Sequence, residues 1–393
     1  MTNQRLHLIW FFHQPFFVPD DEILWRINST YLPLIEALTA REIKFSLGLT
    51  ASLLERFAAL HPEIVGVLQN GAASGKFTLI GTTAYHPVLP WLSGRSARAQ
   101  ILVDREVKAR FDLPRANVFW PTELAWSTRV GSLAAEYGYD TVVVDSSARD
   151  NANLLPKWDD SPHGLRPNLS IDSPLGLSPK VSTYVGTAKH PFLLSLWVRE
   201  RALSNALLKS MAADEEESES LFTDFAQKLE SFHLRSFDPM APLILADDPE
   251  RYLPNGLARL LRLLDAAQKA SIQFVSTQEL ATLPTDVHLN YVPASTMEGD
   301  DSMWTAAVDD KWFRTYLDQL TARVEARFDL LRPRNDIERA VRHNLLRTQD
   351  SSFYFWHFVG RARREFYSNL AEIEMWLDQQ DSNPDSNGVS NLS

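Results

Sequence analysis

The sequence predicts an α/β protein, a mainly parallel sheet or barrel followed by an all-helical C-terminal region. Three observations predict it. Through roughly the first three quarters of the chain, apolar runs of strand length alternate with helical patterns, as βαβ units require. Polar or ionisable groups gather just after several of those runs, and in a parallel sheet such positions converge on one face. From Met303 to Leu377 no convincing strand remains, only long segments with helical periodicity.

In chain order the apolar runs cover residues 6–12, 44–49, 77–80, 117–120, 141–144, 192–198, 242–245 and 272–275. Helices are expected between them, for instance over 95–111 and over 130–137, the latter stopped by Gly138. The first run leads into His13-Gln14-Pro15, the third into a loop holding His86 between Tyr85 and Pro87, and the fifth into Asp145. After the fourth run Pro121 delays the next helix until Glu123 has passed, which leaves a carboxylate at a strand's carboxyl end between Trp120 and Trp126. The seventh leads into Asp247-Asp248. The acidic segment 214–219 opens a helix to about residue 234 and reads as a solvated face at a helix N-terminus, without function. Helices are expected over 312–331, 336–346 and 366–377, and a disordered tail from about 379. The expected division is a barrel over 1–285, a helical domain over 286–378 closing the cleft, and the tail 379–393.

With 393 residues and 45% hydrophobic content, the chain can fill two or three domains, or a barrel with an appendage. A net charge of −11 without any basic stripe argues against a nucleic-acid partner. No apolar run reaches membrane-spanning length, and residues 6–12 are too short for a secretory leader. There is no cysteine, so disulfides and thiolate chemistry are excluded, any metal would need His and carboxylate ligands, and a cytoplasmic location fits. Aromatic residues are plentiful enough for sugar stacking, although most such rings fill cores.

Taken together and in order, these motifs resemble glycoside hydrolase family 57, a retaining, α-glucan-active family with an incomplete (β/α)7 barrel. The likeness spans residues 6 to about 377. Residues 6–16 are similar to the family's opening strand and His-Gln-Pro motif, which implies that His13 binds sugar; neither His7 nor Phe11 supplies the second histidine often found before it. Residues 81–90 resemble the second motif, with His86 as the matching residue, and 98–109 the helix that follows. Residues 119–127 resemble the third, which implies that Glu123 is the nucleophile. Residues 198–205 resemble a segment with an active-site arginine, here Arg199, and 345–356 the helical region closing the cleft. In the fourth motif the family shows an Asp after an apolar strand and a Glu two residues later. With Asp247 placed as the general acid, Pro249 stands where that Glu belongs. Asp248 is the alternative acid, and a register moved by one would put Ala246 in the acid position.

The implied substrate is an α-glucan or maltooligosaccharide, cleaved or transferred through a glycosyl-enzyme formed on Glu123, with Asp247 donating the proton and no cofactor or metal required. His13, His86, Trp120, Arg199, Trp304 and Trp356 are the expected substrate-binding residues. Arg199 has a second reading, an anchor for Glu123 or Asp247. Glu250 is expected to face solvent beyond the turn at Pro249. Two further readings stay open: a glucan-binding protein that has lost its acid, and a metal-dependent deacetylase or mannosidase using His13, His86 and Asp145.

Overall fold

The computed structural model describes residues 4–152, 180–187, 190–212, 223, 225–229, 242–248, 250, 253, 255–283, 288–289, 292, 294–297, 310–355 and 360–382. The strands are β1 (Arg5–Phe12), β2 (Phe45–Leu49), β3 (Phe77–Ile80), β4 (Val118–Phe119), β5 (Thr141–Asp145), β6 (Lys180–Thr187), β7 (His190–Arg199), β8 (Leu243–Asp247), β9 (Gln273–Phe274) and β10 (His288–Leu289). Seven of them, β1, β2, β3, β4, β5, β7 and β8, pair in parallel around a nearly closed barrel. Two seams are thin. β3 meets β4 through the single bridge Gly81↔Phe119, and β7 meets β8 through the single register pair Arg199↔Ile244. Glycine is required at the first seam, because a Cβ on Gly81 would fall 2.1 Å from the Tyr139 hydroxyl oxygen.

Side-chain alternation along these strands separates two cores. Ile9 and Phe11 of β1, Ile80, Val118, Trp120, Val143, Trp197, and Ile244 and Ala246 of β8 form one buried cluster. Contributions from six strands to one cluster identify it as the barrel interior. Leu8, Trp10 and Phe12, and Leu243 and Leu245, face the opposite way, into the layer of helices. Strands buried on both faces explain why the sequence shows continuous apolar runs instead of alternation. Most expected strands are present, but the run over 272–275 contributes only two residues to its strand. β6 was not expected. It pairs antiparallel with β7 from Lys180↔Trp197 to Thr187↔His190, and its Lys180, Ser182 and Thr183 break the apolar signal.

The helix Thr128–Glu136 ends as expected at Gly138, whose φ of 79° suits only glycine comfortably. Beyond the barrel run helices Asp310–Glu325, Asp336–Thr348, Ser352–Phe355 and Gly360–Ser382. The last extends past the point where a tail was expected; residues 383–393 lie outside the described residues, as does most of the expected helix at 214–234. Leu320, Leu345, Phe353, Phe366 and Ile373 from these helices share one buried cluster with Phe12, Leu49 and Val103 of the barrel layer. No helix among the described residues is long and apolar enough to cross a membrane.

Candidate functional site

The site lies where the carboxyl ends of the barrel strands meet the C-terminal helices. His13 follows β1 in the inward register of Ile9 and Phe11. Its backbone N–H donates to Glu250 Oε1 at 2.9 Å, and its Nδ1 lies 3.2 Å from Thr50 Oγ1. His86 sits in the loop after β3 with φ at 59°. The helix Gly94–Arg110 holds that loop: Thr82 N donates to Asp104 Oδ2 at 3.3 Å, and Tyr85 N to Gln100 Oε1 at 3.1 Å. The two imidazoles stack with centroids 4.1 Å apart and planes 14° from parallel, and behind His86 the column continues through Phe11 to Trp120.

The helical region completes this cluster. Ser351 N donates to His86 O at 3.1 Å, Ser351 Oγ lies 3.1 Å from His86 Nδ1, and Asp350 Oδ1 lies 3.7 Å from His13 Nε2. Burial drives the His13 imidazole down to about 3 and His86 well below its ordinary value, so both rings are neutral near pH 7. Burial pushes the Asp350 carboxyl up to about 7, and its Oδ2 has no hydrogen-bond partner among the described residues.

His13, His86 and Asp350 each offer a ligand atom within 4.8 Å of the others, yet the rings are wrongly disposed for one metal ion. An imidazole lone pair lies in the ring plane, and two stacked, nearly parallel planes do not meet near either nitrogen. Two neutral imidazoles and a carboxyl held protonated form a cluster whose chemistry is hydrogen bonding between neutral groups. Nor does Asp145 join the two histidines, as the metal-dependent reading needed. It accepts from Arg199 Nη1 at 3.0 Å and from Arg201.

Glu123 stands on the turn after β4 with φ 54° and ψ 23°, and Leu124 follows at φ 49°. Two successive non-glycine residues in the left-handed region cost about 1–3 kcal/mol each, a strain typical of functional turns. The turn is pinned on two sides. Met297 N donates to Glu123 O at 2.8 Å, and Thr122 Oγ1 lies 3.2 Å from Thr83 Oγ1.

In the fourth motif the structure separates Asp247 from the barrel's inward face. Ile244 and Ala246 point into the barrel, so alternation carries position 248 inward and places Asp247 in the outward register, paired with outward-facing Trp10. Both Asp247 oxygens are engaged, Oδ2 by Arg199 Nη2 at 2.5 Å and Oδ1 by Asp248 N at 2.8 Å. Glu250, expected in solvent, is 4% exposed and accepts from His13 N, Gln14 Nε2 and Tyr31 Oη. Asp248 and Glu250 thus supply the Asp-x-Glu spacing that Asp247 and Pro249 do not.

Among the other expected contacts, Trp120 is 2% exposed and stacked on Phe11, so it supports the site from beneath and offers no face to a ligand. Arg199 is an anchor, bonded to Asp145, Asp247, Asn205 Oδ1 and Ala246 O. Trp304 and Trp356 lie outside the described residues. Asp350 and Glu250 were missed. Reading Asp-x-Glu at 248–250 would have found the second, while the polar break at 349–352 in an aromatic-rich segment was the only signal for the first.

The sequence profile of glycosyl hydrolase family 57 matches residues 4–251. The chain belongs to glycosyl hydrolase family 57. Solved structures with this fold include a family 57 branching enzyme from Thermococcus kodakaraensis, crystallised with glucose, at TM-score 0.72 and 14% identity over 93% of this chain and 88% of that one. An α-amylase from Thermotoga maritima gives 0.71 and 13% over 98% and 94%. A 4-α-glucanotransferase from Thermococcus litoralis gives 0.67 and 17% over 95% of this chain, which spans only 60% of that enzyme's length. No curated protein matches. At these identities the solved structures establish the fold, and the family assignment rests on the profile.

Proposed function

We propose that this family 57 chain is an α-glucan-active glycosidase working by double displacement, with Glu123 as nucleophile and Asp248, in place of Asp247, as general acid. The observation that carries the reading is the strained, pinned turn presenting Glu123 at a strand's carboxyl end, on the face where neutral His13 and His86 meet Asp350. Glu123 attacks the anomeric carbon, the bond to the leaving oxygen breaks, and Asp248 protonates that oxygen. In the second step Asp248 takes a proton from water or an acceptor hydroxyl, which displaces Glu123. His13 and His86 hold sugar hydroxyls, Glu250 fixes the His13 backbone, and the region over 286–378 acts as a domain walling the cleft.

Support for the substrate class comes from the family and from the branching enzyme, α-amylase and glucanotransferase that share the fold. Incubation with maltooligosaccharides, with products followed by chromatography and their anomers by NMR, tests the whole reading. Retained α-configuration in shortened or lengthened chains is expected, and β-anomers as first products would overturn double displacement. A second reading, glucan binding without turnover, is favoured if Asp247 is the family's acid after all, since both its oxygens are occupied. Binding with no product identifies it.

A further inference from the structure

A cavity of about 300 Å³ opens beside the site, between the loop leading into the helix Gly94–Arg110 and the helix Asp310–Glu325. Two of its wall residues are close chain neighbours of the candidate site's residues. Val88 follows His86 by two residues, and Gln349 immediately precedes Asp350. Trp91 supplies a half-buried aromatic surface, over which the Arg314 guanidinium lies 4.5 Å from the ring centre. The walls are fastened independently of any ligand: Glu325 accepts from Ser93 and Ser96 hydroxyls, and Arg95 Nη1 donates to Glu325 O at 2.8 Å.

Three polar groups lining this cavity have no hydrogen-bond partner among the described residues: the Arg314 guanidinium, the Asp318 carboxylate and the amide nitrogen of Gln349. Gln349 is 3% exposed, and only its oxygen is used, by Gln100 Nε2 at 3.2 Å. The amide nitrogen stays accessible at the cavity wall, where it can donate to a ligand or to water. One cation beside carboxylates disfavours an anionic ligand. An indole surface together with dispersed donors and an acceptor suits a neutral ring that is apolar on its faces and hydroxylated at its rim, and the volume is at the small end for ligand sites.

We propose that this cavity is a second glucosyl subsite, taking a sugar unit of a chain that runs on from the cleft past His86. The inference rests on the α-glucan reading above, and its test separates the two. Maltose through maltoheptaose are titrated by calorimetry into the inactive Glu123→Gln protein, and into the same protein carrying Trp91→Ala or Asp318→Asn. Asp318 is exposed on its helix, so its variant folds even if the Trp91 variant does not. The expected result is that both variants bind maltoheptaose about tenfold more weakly while maltose and maltotriose are unaffected. Equal affinities in parent and variants at every length would overturn the subsite and leave the glucan reading standing. If no saccharide binds the parent, the glucan reading fails and the subsite with it.

Discussion

Two clusters of buried ionisable groups sit at the carboxyl ends of the barrel strands, and they are built on opposite principles. Around Arg199 every charge is answered: Asp145 by Arg199 and Arg201, Asp247 by Arg199, and Glu200 by Arg149 at 2.6 Å. Around His13 and His86 nothing is neutralised. The rings are stripped of charge by burial, and among the described residues Asp350 keeps an oxygen without a partner. A saturated network gains nothing from a ligand and holds the thin β7–β8 seam together, whereas an unsatisfied one has hydrogen bonds to offer. A charged strand-end residue is therefore a poor guide to chemistry by itself, and what it is bonded to decides.

The largest effect that would break this division is at Glu123. Glu123→Ala should lower turnover roughly 10⁴-fold or more with the fold intact, since a nucleophile contributes to the reaction far more than to packing. Azide added to the variant should yield a glycosyl azide of inverted configuration. A variant as active as the parent would remove Glu123 from the mechanism.

Next in size is the acid, where the two clusters compete for adjacent residues. Asp248→Asn should cost about 10²–10⁴-fold on substrates with poor leaving groups and much less on activated aryl glycosides, because only the former need protonation. Asp247→Asn should affect both alike. If that leaving-group contrast instead appears in the Asp247 variant, the inward register does not decide the acid, and the saturated cluster contains a catalytic residue.

Arg199→Ala tests the structural half. Removing the one guanidinium shared by Asp145 and Asp247 leaves carboxylates buried with too little compensation, at a cost of roughly 3–5 kcal/mol in urea unfolding. Maltooligosaccharide affinity of the protein that remains folded should hold. Stability unchanged with affinity lost would make Arg199 a ligand contact.

Much of this fold was legible because barrel strands buried on both faces write themselves as unbroken apolar runs, from β1 through β8. The inward residues of those runs were not, since naming the interior face of β8 requires knowing that Ile244 and Ala246 meet Phe11 and Trp197 across the barrel. For that reason the sequence expectation fell on Asp247 and the proposal on its neighbour Asp248. Glu250 reads as a surface residue after a proline, and only the return of β1 beside β8 gives it His13 and Tyr31 as partners. Asp350 lies far along the chain from His13 and His86, and helical periodicity cannot say which strand end a polar break will touch.

The smallest expected effect is the most specific to the unsatisfied cluster. Asp350 holds its proton to about pH 7 in the fold, against about 3.9 for a free aspartate, so between those values the folded state binds the extra proton. The stability it contributes is fully present below about pH 4 and is lost as pH rises through 7. His13 runs the other way: its value near 3 lies below the free 6.5, so its cost to stability grows as pH falls through that window, and His86 adds to it. The opposed slopes hide Asp350 in any measurement on the parent alone. The difference between parent and Asp350→Asn isolates it, because the histidines are common to both. That difference, from urea unfolding at pH 5, 6, 7 and 8, should shrink by up to about 1.4 kcal/mol per pH unit as far as 7 and then level off. A difference independent of pH would mean that Asp350 is already ionised in the fold, and that this cluster too is paired with charge.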